Sequence, residues 1–492
     1  MPRVQGHCQW QSDHSHEDHD AFHSATSCGA RDAKERRVVM GEDFGVNSTG
    51  AHKHPVFSRR RMLGVSGAAG LAALGAAGSR DDVSGPSRNA GPGQSAEAGQ
   101  KAGQSQNAGL SQDAVPGEDA ARVTAPPPVG VLGANFNGDP GKLRFEQLED
   151  VEATWLRGFY PMRDADGSSA DEIAGSPQIG MLLEAGARGY GTVLSLKFEY
   201  KENPIPTPGS DAWTTAFERL EKVLPVVMNK VDILVIGNEP FIESMPEDRN
   251  SRLNVFYEKL AQRVIAYRDE NSADKTELYM GALNHLDDES RITRAKKRWM
   301  RFVSNTMAIR GVDIHPHLAV PGDGQDYLTF ILDGPDGLRA DQKFLATEFS
   351  LVNLWLDHLT DPVSAEFAHD YPKEQGKEVW EVLKGAIDDP STQEDERFTQ
   401  KKWDDFLAMS PWFKSNNTFL QDQVEKFRST EKLAVATYGV IQDDAMTTDF
   451  TETKQPWILN SLFCPYTVVD GEDGLPGRNR VWIDQFRALQ KT

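Results

Sequence analysis

The amino-acid sequence predicts a (β/α)8 TIM barrel with an insertion between strands 7 and 8, built on residues 129–492. Three observations predict it. Short apolar runs recur eight times in this span, and longer amphipathic stretches separate them. Several runs are apolar on both faces, as parallel strands with helices outside and packed side chains inside require.

In chain order the runs are "VGVLGANF" (129–136), "TWLRGF" (154–159), "GTVLSLKF" (191–198), "DILVIG" (232–237), "ELYMGAL" (277–283), "GVDIH" (311–315), "KFLATE" (343–348) and "KLAVATYG" (432–439). Between them, "WTTAFERLEKVLPVVMNKV", "RLNVFYEKLAQRVIAYRDE" and "RITRAKKRWMRFVSNTMAI" carry helical periodicity. Residues 349–431 hold several further helical patterns, including "KEVWEVLKGAI" and "KKWDDFLAM". They read as the insertion and as a wall of a cleft. An open dinucleotide-binding sheet is the competing fold, but the first run leads into "GANFNGDPG" and not into a glycine fingerprint that opens a helix.

Residues 1–57 form a polar extension holding seven of the twelve histidines, read as a disposable segment and not a metal tract. Residues 58–80 contain "SRRRML" followed by "GVSGAAGLAALGAAGS". This resembles a bacterial twin-arginine export signal, which implies the twin-arginine translocase as partner and a secreted protein on the extracellular or cell-wall side. The apolar stretch is too short and too rich in Gly and Ala for a membrane span, and no cysteine follows it to carry a lipid, so no stable membrane anchor is expected. Residues 81–128 are Gly, Ser, Gln and Ala with hardly an aliphatic cluster, the composition of a disordered linker. Of Cys8, Cys28 and Cys464 only the last lies in the barrel, so no internal disulfide is expected. A net charge of −21 argues against a broad grip on nucleic acid.

Chemistry in such a barrel gathers at the carboxyl ends of the strands. Glu239 stands there after strand 4, in "GNEP", and Glu348 after strand 7, in "ATEF". A buried approach to an unpaired carboxylate is costly, so each is expected to be pocketed, hydrogen-bonded or functional. Asn-Glu-Pro closing strand 4, with Glu closing strand 7, resembles the retaining glycosidases of glycoside hydrolase clan A. The resemblance implies a general acid/base at Glu239, a nucleophile at Glu348, and Asn238 on the sugar 2-hydroxyl. It implies a carbohydrate substrate and no cofactor or metal.

Glycoside cleavage needs one carboxyl to protonate the leaving oxygen and another to attack or stabilise the anomeric carbon. Glu239 is therefore expected to start protonated and Glu348 ionised, with Arg157 of strand 2 as the cation beside Glu348. His315 and His317, in "DIHPH" at the end of strand 6, are spaced as clan members space a histidine and a tyrosine; His317 either orients Glu348 or meets substrate. His285 after strand 5 and Asn135 after strand 1 are candidate cleft residues, with Lys197 and Glu199 as further contacts. Trp457 and Tyr438 are candidate platforms for a sugar face. Trp155, Trp213, Trp299 and Trp482 read as packing. Two other readings stand beside a β-glycosidase: a carbohydrate-binding barrel without catalysis, and a metal-dependent barrel hydrolase using His285, His315, His317 and Glu348.

Overall fold

The computed structural model of the chain describes residues 128–138, 140–387, 396–447 and 449–492. The readings of 1–57, of 58–80 and of the linker up to residue 127 lie outside the described residues. Eight parallel strands close a barrel in chain order, β1 pairing with both β2 and β8. They are β1 (Val131–Phe136), β2 (Trp155–Pro161), β3 (Gly191–Lys197), β4 (Ile233–Ile236), β5 (Glu277–Leu283), β6 (Gly311–Ile314), β7 (Lys343–Ala346) and β8 (Leu433–Ile441). The apolar runs read from the sequence mark these strands to within about two residues at each end, the usual latitude of strand limits.

Side chains alternate across a strand, and the register makes that alternation common to the whole barrel. Trp155, Val193, Ile233, Val235, Tyr279, Leu345 and Val435 fill the interior. A side chain at Gly191 would collide with the ring of Trp155, so glycine is required beside it. Toward the carboxyl ends the inward positions turn polar: Asn135, Arg157, Ser195, Asp313 and Thr437 are all buried. The intervening residues, among them Leu156, Leu194, Leu234, Met280, Ile314, Phe344 and Ala436, belong to the larger core between the barrel and its helices.

The helices follow from the same patterning. Ser210 caps the helix Asp211–Val227 by accepting a bond from the Trp213 N–H at 3.2 Å, and that helix buries Leu220, Val223, Leu224 and Val227. Between β7 and β8 the described residues hold six α-helices, from Val352–Asp357 to Phe419–Ser429. Trp355, Trp403, Phe406, Trp412 and Phe413 pack among them. No described helix is long and apolar enough to cross a membrane. Cys464 is a buried free thiol that donates to the Ile458 carbonyl at 3.8 Å. Trp155, Trp299 and Trp482 lie in the core, and half-buried Trp213 stacks on Phe217.

Candidate active site

At the exit of β4, Gly237 takes φ of +97°, a region that favours glycine, and turns the chain over the barrel mouth. Asn238 and Glu239 follow at once, and Pro240 continues the turn without needing a ladder hydrogen bond. The carbonyl of Glu239 accepts from the N–H groups of Ile242 and Glu243 at 2.9 and 2.8 Å, which closes the turn on itself. Across the mouth, Glu348 lies two residues past β7. Thr347 just before it is tied down by Asp313, which accepts from the Thr347 N–H at 3.0 Å and its hydroxyl at 2.5 Å. One carboxylate oxygen of Glu239 and one of Glu348 sit within 4.8 Å of each other, and ring nitrogens of His315 and His317 fall within the same limit.

Arg157 is the fixed point of the site. The register sets it beside Asn135 on the inward face, and its side chain is fully buried. It donates to Glu348 Oε1 at 2.6 Å, to Asn135 Oδ1 at 3.0 Å, to Ser195 Oγ at 3.2 Å and to Asn238 Oδ1. A buried guanidinium needs several acceptors and a counter-charge, and Glu348 supplies the charge. Asn135 also donates to Asn137 at 3.1 Å, so both ends of its amide are engaged inside the protein. It holds Arg157 on the inward face.

Glu239 receives the Asn284 Nδ2 hydrogen at 2.7 Å and lies 3.0 Å from His315 Nδ1, both on Oε1. His315 is fully buried; its Nε2 lies 2.9 Å from the Thr347 hydroxyl and 3.4 Å from Asp313. Burial alone would strip its proton, but the charges of Glu348 and Asp313 and the bonds to Asp313 and Glu239 raise it to about 10. Burial likewise works against charge on Glu239, yet the bond and charge of His315, the nearby His317 and the Asn284 bond carry the carboxyl well below the usual range. The resting pair is thus an imidazolium beside a carboxylate. This corrects the expectation of a protonated Glu239: the sequence does not reveal that a charged histidine would dock on it.

His317 differs from His315. Burial pushes it below the ordinary imidazole value although Glu348 and Glu239 oppose the shift. Its Nδ1 lies 2.8 Å from Ser350 Oγ, its Nε2 lies 3.8 Å from Glu348 Oε2, and its ring meets the edge of half-buried Trp457 at 5.0 Å. Trp457 therefore stands beside His317. His285 is half-buried at φ of +51°, in the left-handed region, with its N–H bonded to Tyr327 Oη at 2.8 Å and its carbonyl 3.4 Å from Lys296 Nζ. Burial, then Arg291, Lys296 and His317, lower its ring to about 4. It bonds to neither carboxylate among the described contacts.

Tyr438 requires a second correction. It is outward-facing on β8, buried against Phe349 and Trp482, and no sugar reaches it. Its hydroxyl has no partner among the described residues. Tyr438→Phe is expected to leave turnover unchanged and to stabilise the fold by about 1 kcal/mol, because a buried unpaired hydroxyl costs free energy; urea unfolding measures this.

Sequence reasoning missed Ser195, Glu243, Asn284, Asp313 and Thr347. Asp313 was visible as a charge inside an apolar run, and Asn284 as a polar residue at a strand end. Glu243, in a loop, carried no pattern. It is buried, and burial, opposed by Lys197 and reinforced by Glu239, raises its carboxyl to about 7. Lys197 Nζ lies 3.4 Å from Glu199 and 3.9 Å from Glu243, so its charge is spent inside the protein. A separate cavity of about 530 Å³, lined by Leu286, Ile292, Met300 and Phe330 with Asp287 and Asp326, includes neither Glu239 nor Glu348.

The fold and site define a closed (β/α)8 barrel with two glutamates facing each other at its carboxyl rim. No family model matches the chain, and no curated protein matches it. Among solved structures it is similar to ScGas2 in complex with compound 7, at 15% identity over 44% of this chain and 48% of that one, TM-score 0.31. It is also similar to ScGas2 in complex with compound 8, at 11% over 73% and 63%, TM-score 0.38. A third is a Saccharomyces cerevisiae Gas2p mutant in complex with laminaritetraose and laminaripentaose, at 11% over 71% and 57%, TM-score 0.37. The chain spans about half the length of the first solved structures it matches. Likenesses this slight carry no argument about chemistry, and the barrel rests on its own strand pairing.

Proposed function

We propose that the protein is a β-glycosidase that cleaves an oligo- or polysaccharide with retention of anomeric configuration, Glu348 acting as nucleophile and Glu239 as acid/base. The single observation behind this reading is the approach of the two carboxylates, oxygen to oxygen within 4.8 Å. Separations of about 5–5.5 Å suit a covalent glycosyl-enzyme, whereas roughly 6.5–9.5 Å leaves room for water and gives inversion.

In the first step Glu348 Oε attacks the anomeric carbon. The bond to the leaving oxygen breaks, and that oxygen takes a proton from Glu239. Arg157, 2.6 Å from Glu348, donates to the nucleophile and fixes the position of its carboxyl group. The proton belongs to the His315–Glu239 pair: it rests on Nδ1 and crosses a 3.0 Å contact to the carboxylate as the leaving oxygen gains charge. In the second step water adds to the same carbon, the ester bond to Glu348 breaks, and the pair recovers its proton from the water.

A pH profile follows. His315 is raised to about 10 in the fold, so its protonation contributes stability that is full below its unfolded value near 6.5 and is lost as pH rises toward 10. Turnover is expected to hold through neutral pH and fall on the alkaline side near pH 10. In His315→Gln the carboxyl must hold the proton alone, and the alkaline limb moves down by several pH units. A limb unmoved by His315→Gln counts against the shared proton.

A metal-dependent hydrolase is the second reading, favoured by the closeness of Glu239, His315, His317 and Glu348. The residues do not fit it. Glu348 already bears a buried guanidinium, and both ring nitrogens of His315 are engaged, by Glu239 and by Thr347. Export is supported by the "SRRRML" stretch alone. The test of function is a panel of aryl β-glycosides and polysaccharides, with the anomer of the first product followed by NMR. Laminari-oligosaccharides, the ligands of that Gas2p structure, belong in the panel. Sugar binding with no cleavage would instead favour a binding barrel.

A further inference from the structure

A third carboxylate lies under the site and has no part in the steps above. Glu243, 2% exposed, takes one hydrogen bond on each oxygen from the turn that carries the acid/base. Oε1 accepts from Asn238 Nδ2 at 2.8 Å, and Oε2 accepts from the Glu239 N–H at 3.2 Å. On its other side Asn238 receives the Arg157 guanidinium on Oδ1. An amide between a cation at its oxygen and a carboxylate at its nitrogen has one orientation only, since a flip would set N–H against N–H and oxygen against oxygen. Asn238 retains one further N–H. An aliphatic side chain would fill the place of Glu243 without desolvating a carboxyl, so packing alone does not explain an acid there.

We propose that Glu243 is a positioning residue that locks the Asn238 amide and the Glu239 backbone, so that the remaining Asn238 N–H meets the sugar 2-hydroxyl and the Glu239 carboxyl meets the leaving oxygen. The proposal rests on the glycosidase reading of this site. Glu243 acts through its neighbours and touches no substrate atom. Lys197, from β3, supplies its counter-charge.

Two variants test it. Glu243→Gln keeps the shape but offers only one acceptor, and Glu243→Ala removes both. The substrate is the aryl β-glycoside that the wild type turns over fastest, compared with its 2-deoxy counterpart. For Glu243→Gln, kcat/KM on the 2-hydroxy substrate is expected to fall about 10–100-fold, the cost of leaving one buried donor of the turn without its acceptor. The 2-deoxy substrate, which has no hydroxyl for Asn238, is expected to lose at least several-fold less. Equal losses on both substrates, or none on either, overturn the proposal. Crystal structures of wild type and Glu243→Ala decide independently, with Glu243→Gln standing in if the alanine variant does not fold. An Asn238 amide turned off Arg157, or a shifted Glu239 backbone, supports positioning, and unmoved groups overturn it. If the wild type cleaves no glycoside, the glycosidase reading falls by itself and the crystallographic comparison alone judges Glu243.

Discussion

Glu348→Gly is expected to lower turnover on the order of 10⁴–10⁶-fold, the range seen when one member of a concerted catalytic unit is removed. Sodium azide should restore part of it. The deleted side chain leaves a space beside the anomeric carbon, and azide placed there forms a carbon–nitrogen bond as the aglycone departs with the proton from the His315–Glu239 pair. The product is a glycosyl azide of inverted configuration, since azide arrives from the face that Glu348 held. Arg157 keeps Asn135, Ser195 and Asn238 as acceptors in this variant but loses its counter-charge, which costs about 3–5 kcal/mol of stability, so a thermal melt beside the assay verifies that the barrel is folded. Rescue absent in a folded variant, with substantial turnover remaining, would remove Glu348 as nucleophile.

For Glu239→Ala the loss should depend on the leaving group. Aglycones that depart poorly need the proton in the transition state and should lose about 10²–10⁴-fold, the usual share of general acid catalysis. Dinitrophenyl glycosides leave unaided, so their first step should slow far less, and the glycosyl-enzyme should accumulate because nothing deprotonates the attacking water. Azide, which needs no base, then releases a glycosyl azide of retained configuration. Equal losses on good and poor leaving groups would exclude Glu239 from proton transfer.

The architecture was legible because buried parallel strands must be apolar on both faces, which left eight runs that nothing else explains. The same rule made Arg157 stand out, since a charge inside such a run needs a partner, and that partner is Glu348. Asp313 obeyed the same logic and was passed over. Tyr438 was misread through neglect of alternation: its neighbour Thr437 points inward, donating to the Thr347 carbonyl, so Tyr438 must point out. The protonation of Glu239 was not legible at all. It depends on His315, seventy-six positions further along the chain, and on two acids around that ring, which only the closed barrel assembles. Glu243 was silent for a similar reason, because a loop acid has no period to betray that it is buried.

The pairing of β1 with β8 also bears on how the chain is made. Val131 finds its partner, Val435, only after some three hundred further residues have left the ribosome. Until then both outer edges of the growing sheet lie open, and open edges invite pairing with other nascent chains. A stop before Leu433 therefore forfeits far more than one stave: it yields an aggregation-prone fragment, and the eighth strand is the latch on which every other strand depends.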